Sequence, residues 1–253
     1  MHMKITAVYF SPTGGTQKYV RQIAAELSEE YTEIDLTNRD TRLEEHFFTG
    51  DDLVVLGVPV YYGRVPQIEG GLLNRLHGDH TPVVLVLSYG NRAFDDALLE
   101  LSDLCAKQDF YTVAAFTGIA QHTFSPKIAA GRPHAEDLAL ARGFAAQLDP
   151  LPTSVPTLPG TRPYSPYGSV PFAPKGDKSC TGCGVCSKIC PAGAIDPSAP
   201  RKTDTAKCIR CFACIKQCPT LSRKLSNPLF RAAAKKLEDN LTKTDQQCES
   251  FLP

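Results

Sequence analysis

Eight of the ten cysteines in this 253-residue chain fall between Cys180 and Cys218. They form two segments that repeat each other. The first runs from Cys180 through Cys183 and Cys186 to Cys190-Pro191, the second from Cys208 through Cys211 and Cys214 to Cys218-Pro219. Each reads C-x2-C-x2-C-x3-C-P. Three thiolates two residues apart can wrap three corners of one compact metal cluster. The fourth follows a helical turn and projects away from them, toward a second cluster. Structural zinc, which also uses C-x2-C pairs, is the competing reading. Zinc needs four ligands in two pairs, so the third cysteine in register and the trailing proline are surplus to it. A disulfide framework is not expected. The N-terminus lacks the charged and apolar regions of a secretory signal, the chain reads as cytoplasmic, and cytosolic thiols stay reduced. Gly182 and Gly184 let the backbone curl around the sulfurs, and Ala192, Gly193 and Ala213 suit the same crowding. Cys105 reads as a core residue and Cys248, in a polar tail, as an idle thiol.

Residues 175–222 resemble the two-cluster bacterial ferredoxins, in which the fourth cysteine of each run serves the other run's cluster. The resemblance implies two 4Fe–4S clusters. Cluster 1 falls to Cys180, Cys183, Cys186 and Cys218, and cluster 2 to Cys208, Cys211, Cys214 and Cys190. The second run departs slightly after its proline, with Pro219-Thr220-Leu221-Ser222 against Pro191-Ala192-Gly193-Ala194-Ile195. No ligand is touched by that difference.

A second group of chemistry-bearing residues lies near the N-terminus. Ser11-Pro12-Thr13-Gly14-Gly15-Thr16 joins a strand-like run, Ile5–Phe10, to helical spacing at Tyr19, Val20, Ile23, Ala24 and Leu27. Hydroxyls at 11, 13 and 16, beside the N–H groups of a helix start, make an anion cradle. No Gly-Lys-Ser/Thr follows, which excludes a nucleotide-hydrolysing P-loop, and no G-x-G-x-x-G marks a dinucleotide site. The plain alternative is a strand-to-helix turn with Thr16 as N-cap. Two more loops belong to the same sheet end, Pro59-Val60-Tyr61-Tyr62-Gly63-Arg64 and Ser88-Tyr89-Gly90-Asn91-Arg92. Each sets a tyrosine, able to stack on a planar ring, beside a glycine that lets a peptide approach it. A phosphate cradle with aromatic walls describes a flavin mononucleotide (FMN) site. Its candidate residues are Ser11, Thr13, Gly14, Gly15, Thr16, Pro59, Val60, Tyr61, Tyr62, Gly63, Ser88, Tyr89, Gly90 and Asn91.

The elements that must position these loops alternate between strand and helix. Strands are expected at Thr32–Leu36, Asp52–Val58, Val83–Leu87 and Tyr111–Ala115, after the first at Ile5–Phe10. Helices are expected through Ile68, Leu72 and Leu76, through Phe94, Ala97, Leu98, Leu101, Leu104 and Cys105, and over about 134–148. Such alternation predicts an α/β fold, a doubly wound parallel sheet that binds ligands beyond its strands' carboxyl ends. Residues 3–148 resemble the flavodoxins, whose phosphate loop Ser/Thr-x-Thr-Gly-x-Thr is matched by Ser11, Thr13, Gly14 and Thr16. That resemblance implies five parallel strands in the order 2-1-3-4-5. The whole chain resembles the flavodoxin–ferredoxin fusions of anaerobic bacteria and archaea, and Tyr89-Gly90-Asn91-Arg92-Ala93-Phe94 looks like theirs.

The chain then divides into a flavodoxin-like domain at 1–149, a linker at 150–174, a ferredoxin-like domain at 175–222 and a tail at 223–253. Eight prolines in residues 150–174 forbid helix and central strand, so an extended linker is expected, one able to lie along a surface. Leu229, Ala233, Leu237 and Leu241 predict a short amphipathic tail helix that docks on the protein. Net charge is −8 over residues 1–150 and +8 over 151–253. The two halves are expected to attract each other. No nucleic-acid motif accompanies the basic half. No apolar run approaches the roughly 20 residues that span a bilayer. The combined reading is an intramolecular electron relay that serves external redox partner proteins. The alternative is a flavin-dependent reductase of a small substrate, fed by its own clusters, with His122 as proton donor.

Overall fold

The computed structural model describes residues 3–149 and 151–253. The first half contains β1 (Lys4–Tyr9), α1 (Gly15–Leu27), β2 (Thr32–Asp35), α2 (Arg39–Leu43), β3 (His46–Phe47), β4 (Asp52–Pro59), β5 (Leu76–His77), β6 (Thr81–Tyr89), α3 (Ala97–Ala106), β7 (Phe110–Ile119) and α4 (Ala135–Ala145). The second half contains β8 (Lys175–Gly176), α5 (Val185–Lys188), α6 (Ala213–Lys216), β9 (Arg223–Lys224), α7 (Pro228–Leu241) and β10 (Glu249–Phe251).

The main sheet runs β10-β7-β6-β4-β1-β2. Its strands are parallel except β10, which pairs antiparallel to β7. Side chains alternate between two buried faces, as strand geometry requires. Val8, Val54, Leu56 and Leu85 enter one core with α3 residues Leu98, Leu101 and Cys105. Ala7, Val55, Val84 and Val86 enter the other with Tyr19, Val20 and Ile23 of α1 and Phe144 of α4. Burial on both faces explains the unbroken apolar run Leu53-Val54-Val55-Leu56. Strand addition reverses direction between β1 and β4, and the loops after β1, β4, β6 and β7 open beyond that point.

Four expectations need correction. Residues 60–75 form turns rather than a helix. Gly70 and Gly71 take φ of +84° and +77°, outside the helical region. Leu72, Leu73 and Leu76 are buried all the same, so their spacing served packing alone. The sheet has a sixth strand, because the tail returns as β10 and covers the β7 edge, with Ser250 opposite Phe116. The buried face of α7 runs through Phe230 and Leu241, while Leu229 is 73% exposed and Ala233 is also exposed. Cys248 is not idle: it packs partly buried on the core, 3.7 Å from Asp137 Oδ1.

The proline-rich stretch is a strap bound along the first half. The Asp96 carboxylate accepts the backbone N–H groups of Thr161 (3.0 Å) and Ser165 (2.8 Å). These donors hold its pKa down at about 2. Arg162 pairs with Asp103, and the Tyr167 ring meets Tyr62 edge-on at 5.5 Å.

Opposite charge contributes little to the contact between the halves. The ion pairs that cross, Lys207–Glu69 at 3.6 Å, Arg162–Asp103 and Lys127–Glu238, are solvent-exposed on at least one side, and such surface pairs contribute little. An aromatic trio from three segments does more. Phe124 follows β7, Phe212 lies in the second cysteine run and Phe230 opens α7, and their rings sit 5.1–5.8 Å apart. Buried Arg42 of α2 also crosses over, donating to the Pro191 carbonyl at 2.6 Å.

Candidate functional site

β1 ends at Tyr9, and Gly14 caps α1 in the left-handed region at φ +83°, a conformation that favours glycine. Ser11 Oγ accepts the Gln17 amide at 3.0 Å, so Ser11 satisfies a first-turn N–H, and Thr16 lies inside the helix rather than at its cap. Thr16 is buried instead, its hydroxyl bonded at 2.7 Å to Ser88 Oγ at the end of β6. That bond ties the phosphate-type loop to the loop after β6. Thr13 stands exposed, and a Cβ on Gly15 would lie 2.9 Å from Ala120, so the loop after β7 packs directly on it.

A cleft lies over these loops. Ser11, Thr13, Gly15 and Thr16 line one end, and Pro59, Val60, Tyr61, Tyr62 and Gly63 another wall. Ser88, Tyr89 and Gly90 complete it. Two candidates stand apart. Gly14 shapes the turn without lining the cleft. Asn91 is turned away: its Nδ2 donates to the carbonyls of Leu241 (2.9 Å) and Thr244 (2.8 Å), and its Oδ1 accepts the Gln246 amide. Asn91 thus binds the tail. The tyrosines also separate. Tyr89 is 3% exposed and packs on Phe94, and Tyr62 faces the strap. The Tyr61 phenol is pushed well above its ordinary pKa by burial and then by nearby Cys211.

The sequence reading missed the roof. Ile209 and Arg210, between the cysteines of the second run, line the same cleft, as does Leu237 of α7. Only Arg210 left a signal, as a bulky residue where the first cysteine run has Gly182. His122 and Phe124 close the far side. Burial, then the charges of Lys216 and Arg92, push His122 down to about 4, so its ring is neutral at pH 7. Its Nδ1 accepts the Phe124 amide at 3.0 Å, which leaves the proton on Nε2. A Cβ on Gly90 would lie 2.4 Å from this ring, so His122 dictates glycine there. Missed too was the Arg64–Glu100 pair, buried and two-pronged at 2.7 Å, which holds the loop after β4.

The eight clustered cysteines ring two small hollows. Cys180, Cys183, Cys186 and Cys218 line the first, and Cys190, Cys208, Cys211 and Cys214 the second. Each run thus sends its fourth cysteine to the other's hollow. Among the described residues no three Cys, His, Asp or Glu side chains converge on a single-ion position. Four sulfur donors spread around a hollow suit a compact multi-metal group, whereas a lone tetrahedral zinc needs its ligands drawn together. The sets differ in surroundings. Cys183 is exposed, while Cys211 and Cys214 are buried. Burial pushes the Cys211 thiol up strongly and Cys214 to about 11. At Cys218 burial is outweighed by hydrogen bonds from Ser222, the Arg223 amide and Thr220, which bring the thiol down to about 6.

Residues 7–76 match the family model described as a flavodoxin domain, and residues 175–219 match that of a 4Fe–4S dicluster domain. No curated protein matches the chain. Among solved structures, a flavodoxin from the domain Archaea shares 12% identity, covering 58% of this chain and 96% of that one, at TM-score 0.37. A putative flavoprotein from Bacteroides uniformis ATCC 8492 shares 16% identity over 47% of this chain and 92% of its own, at TM-score 0.35. Another from Bacteroides eggerthii DSM 20697 shares 17% over 58% and 97%, at TM-score 0.32. The two family matches define a class, proteins that move electrons with flavin and iron–sulfur groups. The two matches lie in one chain, as they would in a flavodoxin–ferredoxin fusion. Among the described residues no helix is long and apolar enough to cross a membrane.

Proposed function

We propose that this chain is an intramolecular electron relay, with FMN in the cleft and a 4Fe–4S cluster in each hollow. In this reading residues 1–149 hold the flavin and 175–222 the clusters. Residues 150–174 and 223–253 are the strap and tail that keep them together. FMN exchanges one or two electrons and each cluster one, so the pairing converts between single-electron and two-electron carriers.

One observation carries the reading: the cleft is walled by the phosphate-type loop and by Ile209-Arg210, inside the second cysteine run. The segment between the proposed ligands Cys208 and Cys211 therefore also lines the proposed flavin cavity. Thr13, Ser11 and the first N–H groups of α1 would hold the phosphate, and Tyr61 would flank the ring on the side of Cys211. The aromatic trio excludes water between the two sites. Exposed Cys183 leaves the first hollow facing outside partners, so the partner-facing cluster is cluster 1 and the flavin-facing one is cluster 2.

The second reading, a reductase of a small substrate, draws support from the roofed cleft. His122 with a proton on Nε2 and Arg92 stand at its wall beside the flavin site, where a substrate would sit. Both readings require the same cofactors. Anaerobically purified protein should carry one FMN, and iron and sulfide sufficient for two clusters. Zinc with no flavin would refute both.

A further inference from the structure

The two cysteine runs overlay by their repeat, and the overlay sets Arg223, five residues after Cys218, against Ile195, five residues after Cys190. Both side chains are buried, at 2% and 4% exposure. An aliphatic residue in one half thus answers a cation in the other. Arg223 has no carboxylate partner. Its Nη1 donates to the Pro200 carbonyl at 2.6 Å and its Nη2 to the Pro174 carbonyl at 2.8 Å and to Thr203. Its Nε is buried with no partner. The remaining contact is sulfur: Nη1 lies 3.8 Å from Cys186 Sγ of the first set.

A buried cation bound only to neutral oxygens is costly unless an anion lies close by. The anion at hand is the thiolate-held group of the first hollow, which the guanidinium lines while it does not line the second. We infer that Arg223 is the counter-cation of cluster 1 and holds its reduction potential up. The inference rests on the proposed occupancy of the first hollow. An electron added to a cluster increases its negative charge, and a fixed positive charge favours that state.

The test is an anaerobic redox titration of the full chain, followed by electron paramagnetic resonance, with iron and sulfide counted in every sample. In Arg223→Gln or Arg223→Met the reduced-to-oxidised ratio of cluster 1 at a fixed ambient potential should fall at least tenfold, about 59 mV for one electron. Arg223→Lys should restore most of it. Unmoved potentials in a neutral variant with full iron overturn the inference and leave the relay intact. A native chain without two clusters' worth of iron refutes the relay itself. If the neutral variants lose iron, retention by Arg223→Lys supports the counter-cation, and loss there too overturns it.

Discussion

The two cysteine runs share one backbone and differ in what they do with it. At three matched positions the first run has Gly182, Gly184 and Gly193, all at positive φ between 58° and 75°. The second has Arg210, Phe212 and Leu221, at φ 60°, 59° and 53°. A non-glycine residue in that region costs roughly 1–2 kcal/mol. The second run bears that cost three times. At two of the positions the gain is visible: Arg210 lines the cleft and Phe212 packs on Phe124 and Phe230. Glycine leaves the first run bare, with Cys183 exposed and open space where its neighbours' side chains would lie. One run faces inward to the proposed flavin cleft and the other outward. The duplication supplied two equal cages, and the substitutions gave them different neighbours.

The largest effect should come from ligand changes that treat the runs unequally. Cys211→Ser and Cys183→Ser each perturb one cluster. Only Cys211→Ser should cut flavin–cluster transfer by two orders of magnitude or more, while Cys183→Ser should chiefly slow exchange with an outside carrier. Stopped-flow reduction monitored at flavin and cluster wavelengths separates the two. Equal effects on internal transfer would remove the asymmetry.

Next is Phe212→Gly. Losing a buried phenylalanine costs about 3–5 kcal/mol, and relief at positive φ returns about 1–2. Docking of the halves should weaken by roughly 1–4 kcal/mol, read by denaturant unfolding.

Third is the strap. Backbone donors depress the Asp96 carboxyl to about 2, so its folded pKa lies below its unfolded value. The stability it supplies is present above about pH 4 and is lost as pH falls through 2. Asp96→Asn should cost about 1–3 kcal/mol at pH 7 and flatten that acid limb. An unchanged limb in thermal melts from pH 2 to 6 would contradict the strap's anchoring.

The smallest effect is Leu221→Gly, at a residue 71% exposed. Relief of its φ outweighs glycine's entropy cost of about 0.5–1 kcal/mol, for a net gain of up to about 1. A lower melting temperature would show that Leu221 makes a contact it lacks here.

Spacing made the cysteine sets legible, because a metal cage depends on local geometry that a repeat writes into the chain. The loop Ser11–Thr16 was legible for the same reason. What spacing could not reveal was long-range. Asn91 reads as a cleft residue until the tail arrives to take its amide, 150 positions later. Ile68, Leu72 and Leu76 read as a helix because burial in turns leaves the same apolar marks as burial on one helical face. The charge difference between the halves suggested an electrostatic contact, yet three phenylalanines that carry no charge make much of it.

The central claim is that the second cysteine run brings its cluster beside the flavin site. The direct measurement is rapid mixing of the anaerobic, fully loaded chain with substoichiometric dithionite, at several protein concentrations. The account predicts that electrons redistribute between clusters and flavin at a rate independent of concentration. Clusters that stay reduced beside an oxidised flavin of higher potential, or a rate that scales with concentration, would contradict it.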